Sequence, residues 1–336
     1  MKIMKKVLSV LSLILALSLV FTACGTVAEE TTAEETTAAE REVINIGLLK
    51  GPTGMGAAVL LENDEKGISE ADYKLTLAGA PDVLQTALIN SELDMAALPT
   101  NVAAVLSNKT EGKVQILAVN TLGVIYLMSA DESIKTVADL KGKTVLSAGQ
   151  GTTTEYVLNY ILSENGLTPD SDVFVEYASE HAEVIAKAKS GGYEVILLPE
   201  PFVTQMKAQD AGFAVVLDLT KEWKALGGGE LTMGCIAVRT EFLEQNPDAV
   251  AAFLKDYEAS VNAVNADPEA AGALIEKFDI AKAAIASKAV PNCNITLMTG
   301  EEMKTNVSAY LQVLFGSNPK AVGGSLPADG FYAVIG

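Results

Sequence analysis

The sequence predicts an α/β fold in two lobes, with parallel sheets covered by helices on both faces. Three observations lead there. Segments of strand character alternate with segments of helical character over the first two thirds of the chain. The strands, Val43 to Leu49 and Val195 to Leu198 among them, are apolar on both faces, as strands held between two helical layers must be. The length, 336 residues, exceeds what one hydrophobic core usually organises.

Taken in order, the chain begins with Lys2, Lys5 and Lys6 and then an unbroken apolar and small run from Val7 to Val20. That is the pattern of an export signal, too short for a comfortable membrane span. It ends at Phe21-Thr22-Ala23-Cys24-Gly25, where small residues before a cysteine resemble the lipobox of bacterial lipoproteins, with Cys24 as the lipidated residue. An ordinary secretory signal with an incidental cysteine is the alternative, and export follows from both. The next stretch, to Glu42, repeats Ala-Glu-Glu-Thr-Thr and holds no apolar residue larger than valine. It cannot bury enough surface to offset chain entropy, so it is expected to be a disordered acidic tether.

From Val43 onward, strands are expected at Val43–Leu49, Tyr73–Ala78, Leu93–Leu98, Val114–Asn120, Val124–Ser129, Thr144–Ala148, Val173–Tyr177, Val195–Leu198, Ala214–Leu219 and Met233–Val238. Helices fill most of the gaps. Pro81 opens one at its first turn, Thr152 caps another, and a third follows the prolines of Pro199-Glu200-Pro201. The last third is mostly helical: Asn246-Pro247 and Asp267-Pro268 pair a cap with a proline, and Thr299-Gly-Glu-Glu302 reads as a capping box.

In open α/β sheets, ligands sit beyond the C-terminal ends of the strands, where loops enter helices. Four turns occupy such positions. They are Lys50, Gly51, Pro52 and Thr53; Pro99, Thr100 and Asn101; Gln150, Gly151, Thr152 and Thr153; and Pro199-Glu200-Pro201. Free N–H groups at helix starts would hold a small anion or polar group. For each threonine a plain capping role is the competing reading. Glu200 either bonds a ligand amine or hydroxyl or ties down its loop. Lys50 either neutralises an anion or is a surface lysine, and Tyr156, Phe202 and Trp223 either stack on a ring or pack as core.

The composition argues against other classes. Lys and Arg number 24 against 43 Asp and Glu, a formal charge of −19, so nucleic acid is not an expected partner. Arg41 and Arg239 are the only arginines, so an anion would depend on backbone N–H groups, hydroxyls and lysines. The single histidine, His181, is expected at a solvated helix start. There is no nucleophile elbow, Walker loop or His-Glu-x-x-His, and Cys235 and Cys293 lack metal-ligand spacing, so no enzyme, metal or cofactor is expected. Whether those two cysteines pair is open in the sequence.

Leu49-Lys-Gly-Pro-Thr-Gly-Met, Asp94-Met-Ala-Ala-Leu-Pro-Thr-Asn, Asp139-Leu-Lys-Gly-Lys-Thr-Val and Leu198-Pro-Glu-Pro-Phe-Val-Thr, behind a lipobox and an acidic tether, resemble the nitrate/sulfonate/taurine-type substrate-binding proteins of bacterial ABC importers. The resemblance spans about Val43 to Val334. It implies a type II periplasmic-binding-protein fold, two α/β lobes joined by two crossover segments, placed near Val124–Ser129 and Leu231–Ala237. The cysteine cluster of the family's thiamine-precursor relatives is absent. The implied organisation is a signal peptide at 1–23, a tether at 24–42, a first lobe of 43–125 and 235–336, and a second lobe of 126–234. The implied function is that of a monomeric, lipid-anchored, non-catalytic protein at the outer face of the cytoplasmic membrane. It would capture a small polar or anionic molecule and pass it to a permease. An exported enzyme on the same fold and a surface receptor or adhesin are the competing classes.

Overall fold

A computed structural model describes residues 41–209 and 212–335. The expected signal peptide, Cys24 and most of the tether lie outside these residues. The last two residues of the expected tether belong to the folded body. Arg41 pairs with Asp64 and Asp72 and donates to the Ser69 hydroxyl (2.7 Å), and the Glu42 carbonyl accepts from the Asp72 N–H (2.9 Å).

Eleven strands are described: β1 (Val43–Leu49), β2 (Asp72–Ala78), β3 (Met95–Pro99), β4 (Val114–Thr121), β5 (Ile125–Ser129), β6 (Thr144–Ala148), β7 (Phe174–Ala178), β8 (Val195–Pro199), β9 (Ala214–Asp218), β10 (Gly234–Arg239) and β11 (Ile295–Met298). They form two sheets, in the orders β11-β4-β10-β3-β1-β2 and β7-β6-β8-β5-β9. The helices are α1 (Pro52–Met55), α2 (Ala58–Glu65), α3 (Pro81–Ile89), α4 (Thr100–Lys109), α5 (Thr153–Glu164), α6 (His181–Lys189), α7 (Phe202–Ala208) and α8 (Leu219–Ala225). After β10 come α9 (Thr240–Gln245), α10 (Pro247–Ala266), α11 (Pro268–Lys277), α12 (Ala283–Ala289) and α13 (Gly300–Ser317).

The expected α/β lobes are present, but neither sheet is wholly parallel. β1 pairs in parallel with β2 and β3, and β6 with β7 and β8. β10 runs antiparallel to β3 and β4, and β5 antiparallel to β8 and β9. The reason is the route of the chain. It leaves the first sheet after Thr121 and enters the second at Ile125; it leaves the second after Asp218 and re-enters the first at Gly234. Each first strand after a crossing starts at the inter-sheet side, where the other strands end, so it must run the opposite way. Ile125–Ser129 and Gly234–Arg239 are therefore strands within their sheets, and the crossings lie just before them, at residues 122–124 and 219–233. The second crossing carries α8, which the strand-and-helix reading of the sequence did not anticipate. Asp218 caps it, its carboxylate accepting from the Thr220 N–H (3.0 Å).

The apolar strand faces build three cores. One sets α2, α10 and α11 on the first sheet, and another sets α6 and α7 on the second. The third runs without a break from the first sheet to the second through α5, α8 and α13. Trp223 is fully buried in it, between Tyr160 (5.0 Å between ring centroids) and Tyr310 (5.7 Å). That excludes Trp223 as a ligand platform. Pro247 and Pro268 open α10 and α11 as expected, and Asp267 caps the latter by accepting from Ala270 (3.0 Å). The capping box expected at Thr299 does not form; one does form at Thr136 and Asp139, where a 3₁₀ turn precedes β6. Both Cys235 and Cys293 are buried and unpaired.

Candidate functional site

The C-terminal ends of β1, β2, β3, β4, β6, β7 and β8, and the starts of β5 and β10, meet at one cleft between the sheets. Its volume is about 620 Å³. Leu49, Ala148, Pro99 and Pro199 stand on its walls as the last residues of four strands, and Val124 and Met233 as the residues just before β5 and β10. The position follows from the topology: strands that end on one side deliver their following loops and helix starts to that side. Across the mouth, α12 of the first lobe packs on α7 of the second, so the described form is closed over the cleft.

The structure divides the residues singled out in the sequence. Lys50, Gly51, Pro52, Thr53 and Pro99 line the cleft from the first lobe, and Thr152 and Thr153 from the second. Thr100, Asn101, Gln150, Gly151, Tyr156 and Glu200 lie outside its lining. Thr100 is buried behind the wall, its N–H bound to the Met233 carbonyl (3.0 Å). Gln150 and Gly151 face solvent, because the turn rolls outward before α5 begins. Tyr156 packs half-buried against the shared core one turn into α5, and burial raises its phenol pKa. Glu200 turns inward and is buried. Its carboxylate accepts from the Thr204 N–H (3.0 Å) and hydroxyl (3.1 Å), and burial raises its pKa. The loop-tying role is the one the geometry shows.

Asn101 and Thr153 form a buried polar cluster between the lobes. The Asn101 amide donates to the carbonyls of Gly151 (3.2 Å) and Ala321 (3.1 Å), and its oxygen accepts from the Thr153 hydroxyl (3.1 Å). The Tyr310 hydroxyl of α13 donates to Thr153 (2.9 Å). Four hydrogen bonds thus satisfy these polar groups at the floor of the cleft, joining the starts of α4 and α5 to the C-terminal segment. A second buried amide, Asn120, donates to the Thr53 carbonyl (2.9 Å) and to the Tyr257 hydroxyl (3.2 Å), fixing the α1 turn within its own lobe.

The helix-start donors expected to hold an anion are partly taken. Glu155 accepts the Gly151 N–H (2.5 Å), and the Thr152 hydroxyl donates to the Gly149 carbonyl (2.6 Å) instead of capping α5. Lys50 pairs with Asp279 (2.7 Å) and lowers the pKa of that carboxyl, and Lys282 pairs with Glu276 (3.1 Å). Arg239 is committed to Asp94 (2.8 Å) on the far side of β3.

Sequence reasoning missed the β7–α6 corner. Ser179, Glu180 and His181 line the cleft. The His181 ring lies against Phe202 (5.0 Å between centroids). Its Nδ1 is shut off from solvent with no partner, and burial lowers the imidazole pKa to about 4. The signal was present: Ala178-Ser179-Glu180-His181 is a strand end running into a helix start, the same arrangement as the four turns singled out, but without glycine or proline to mark it.

A family described as NMT1/THI5 like matches residues 114–271. No curated protein matches the chain. Among solved structures, an ABC transporter from Parabacteroides distasonis aligns with a TM-score of 0.71 at 27% identity, over 86% of this chain and 98% of that one. The periplasmic aliphatic sulphonate binding protein SsuA from Escherichia coli aligns at 0.68 and 21% identity, over 84% and 90% of the two chains. The periplasmic nitrate-binding protein NrtA from Synechocystis PCC 6803 aligns at 0.60 and 15% identity, over 88% and 92%. The chain carries an NMT1/THI5-like segment within a type II periplasmic-binding-protein fold, and the resemblance to nitrate/sulfonate-type substrate-binding proteins noted in its motifs extends over that whole fold.

Proposed function

We propose that this chain is the solute-binding component of an ABC importer. It captures a small polar or anionic organic molecule between its lobes and delivers it to a permease. The carrying observation is the convergence of strand ends from both sheets on one closed cleft of about 620 Å³. A volume of that size suits a small organic ligand rather than a bare ion. On this reading the first lobe is built on 43–121 and 234–336 and the second on 125–218, shifting the boundaries expected from the sequence to the two crossings, and Lys50, Gly51, Pro52, Thr53, Pro99, Thr152 and Thr153 face the ligand. A ligand touching both lobes binds the closed form better than the open one and so shifts the population toward closure, the form a permease recognises. The protein works as a monomer, without cofactor or catalysis. A lipid on Cys24 and the acidic tether hold it at the outer face of the cytoplasmic membrane.

Isothermal titration calorimetry with a concentrated low-molecular-mass extract tests the binding. Saturable heat is the expected result, and its absence from extracts of rich and minimal media alike contradicts the reading. For the anchor, Cys24→Ala is expected to release the protein from the membrane fraction. Retention of the variant on the membrane contradicts lipidation at that residue.

A further inference from the structure

The ligand's charge can be inferred from the cleft, and the inference rests on the solute-binding reading above. We propose that the cleft selects an uncharged organic molecule with a flat apolar face and a polar edge, seated against Phe202 and hydrogen-bonded by His181.

Three sets of observations carry this. The first is the charge balance. Three carboxylates on the cleft lining, Glu180, Glu276 and Asp279, face two ammoniums, Lys50 and Lys282. Each ammonium already has a carboxylate partner, at 2.7 Å and 3.1 Å. Both arginines are paired with carboxylates elsewhere in the first lobe. An anion entering this cleft would meet no uncommitted cation among the described lining residues, and it would leave water to approach a surplus of negative charge. A cation fares little better, because two of the three carboxylates are paired and Glu180 stands exposed at the lip.

The second is the loss of the anion cradle. An anion site at the start of α5 needs free N–H groups and a hydroxyl pointing outward. Here the Gly151 N–H is bound by the Glu155 carboxylate, itself a negative charge beside the helix start, and the Thr152 hydroxyl is turned to the Gly149 carbonyl. The neighbouring Thr153 hydroxyl is bonded to Asn101 and Tyr310. Of the donors that would recognise a sulfonate or carboxylate there, the Gly151 N–H and the Thr152 and Thr153 hydroxyls are thus used within the protein.

The third is what remains available. Phe202 and His181 form a tilted aromatic pair on the second lobe, and Pro52, Pro99 and Ile280 offer apolar surface from the first. Among the described residues no protein group bonds the His181 imidazole, and its Nδ1 is enclosed without a partner. With Nδ1 enclosed, the neutral imidazole meets a ligand through Nε2, as donor or acceptor according to its tautomer, which suits one polar atom at the edge of an uncharged ligand. Burial keeps it neutral at physiological pH.

The test has two parts. Protein purified from its native host without refolding is denatured, and the released small molecule is identified by mass spectrometry. A molecule with no group ionised at neutral pH is expected. A sulfonate, carboxylate, phosphate or ammonium compound overturns the proposal. In parallel, protein stripped of retained molecules is titrated with benzamide, benzoate, benzenesulfonate and benzylamine, which share a ring and differ in charge. Benzamide is expected to bind at least about tenfold more tightly than any of the three ions, a gap of one well-made hydrogen bond. Equal or tighter binding of an ion overturns the proposal, and so does failure of all four to bind. Failure of the whole extract pool as well sinks the solute-binding reading itself. His181→Leu keeps the apolar contact with Phe202 and is expected to weaken benzamide by about tenfold while leaving the thermal midpoint of the ligand-free protein unlowered. Unchanged affinity in that variant removes His181 from the inference.

Discussion

The turns at Lys50 to Gly56 and at Ala148 to Thr154 look like twins in sequence, each a strand passing through glycines into a helix start. In the folded protein they are held in opposite ways. The first is tied inside its own lobe, where Asn120 binds the Thr53 carbonyl and Gly54 packs against the Leu49 carbonyl. The second is tied across the cleft, where Asn101 of α4 binds the Gly151 carbonyl and the Thr153 hydroxyl. The lesson concerns motion. The first turn keeps its geometry whatever the lobes do, whereas the second has its geometry set by closure, so opening must either break the Asn101 cluster or pivot about it.

Changes at the two turns should therefore differ in size and in kind. The largest effect is expected from Gly54→Ala, because a methyl there falls inside contact distance of the Leu49 backbone carbonyl, which cannot move aside. A loss of about 3 kcal/mol in denaturant unfolding is expected, and a loss below about 1 kcal/mol would show that the first turn is not rigid. Next comes Asn101→Ala, which strands the carbonyls of Gly151 and Ala321 and should cost about 2 kcal/mol. Asn120→Ala should cost a similar amount, but only the Asn101 variant should enlarge the ligand-free protein in small-angle scattering. Equal radii for the two variants would erase the distinction between the turns. Gly151→Ala is smaller still. Its φ of +76° is strained for alanine, but a methyl there meets nothing within 4 Å, so about 1 kcal/mol is expected.

The smallest effect at neutral pH belongs to His181. In the folded protein its imidazole protonates at about 4, against 6.5 for an unburied histidine. Between those values the unfolded chain binds more protons than the folded one. The stability from keeping this ring neutral is therefore present above 6.5 and lost as pH falls toward 4. Replacing His181 by leucine should flatten the stability profile in that window and leave pH 7 unaltered, as urea midpoints would read. An unchanged slope would mean that the imidazole is not buried against Phe202.

Much of the architecture was legible because burial writes itself into apolar runs: Thr144–Ala148 was read with the bounds the strand has, and most other strands agree to within a residue or two. Strand direction was not legible, since a buried parallel strand and a buried antiparallel one carry the same pattern. Helix phase limited the site in the same way. Thr152 and Thr153 are equivalent in composition, yet a rotation of one residue sends the second hydroxyl into the floor beside Tyr310. Glu200 stays open in the sequence for a related reason, because a carboxylate at a strand end is as able to bond the start of its own helix as to meet a ligand, and the fold shows the first. The sequence reading places His181 at a solvated helix start, and nothing at its corner, which lacks glycine and proline, marks the cleft, although Glu180 just before it holds the same helix-cap position as Pro99 and Thr152.

The central claim is that the cleft closes on a solute. Small-angle scattering of one preparation, stripped of bound molecules and then saturated with the low-molecular-mass pool released from the native protein, tests it most directly. The account predicts a smaller radius of gyration on saturation, with a loaded profile that matches the closed form described here, and a reduced response in Asn101→Ala. A radius that does not change on saturation would contradict it.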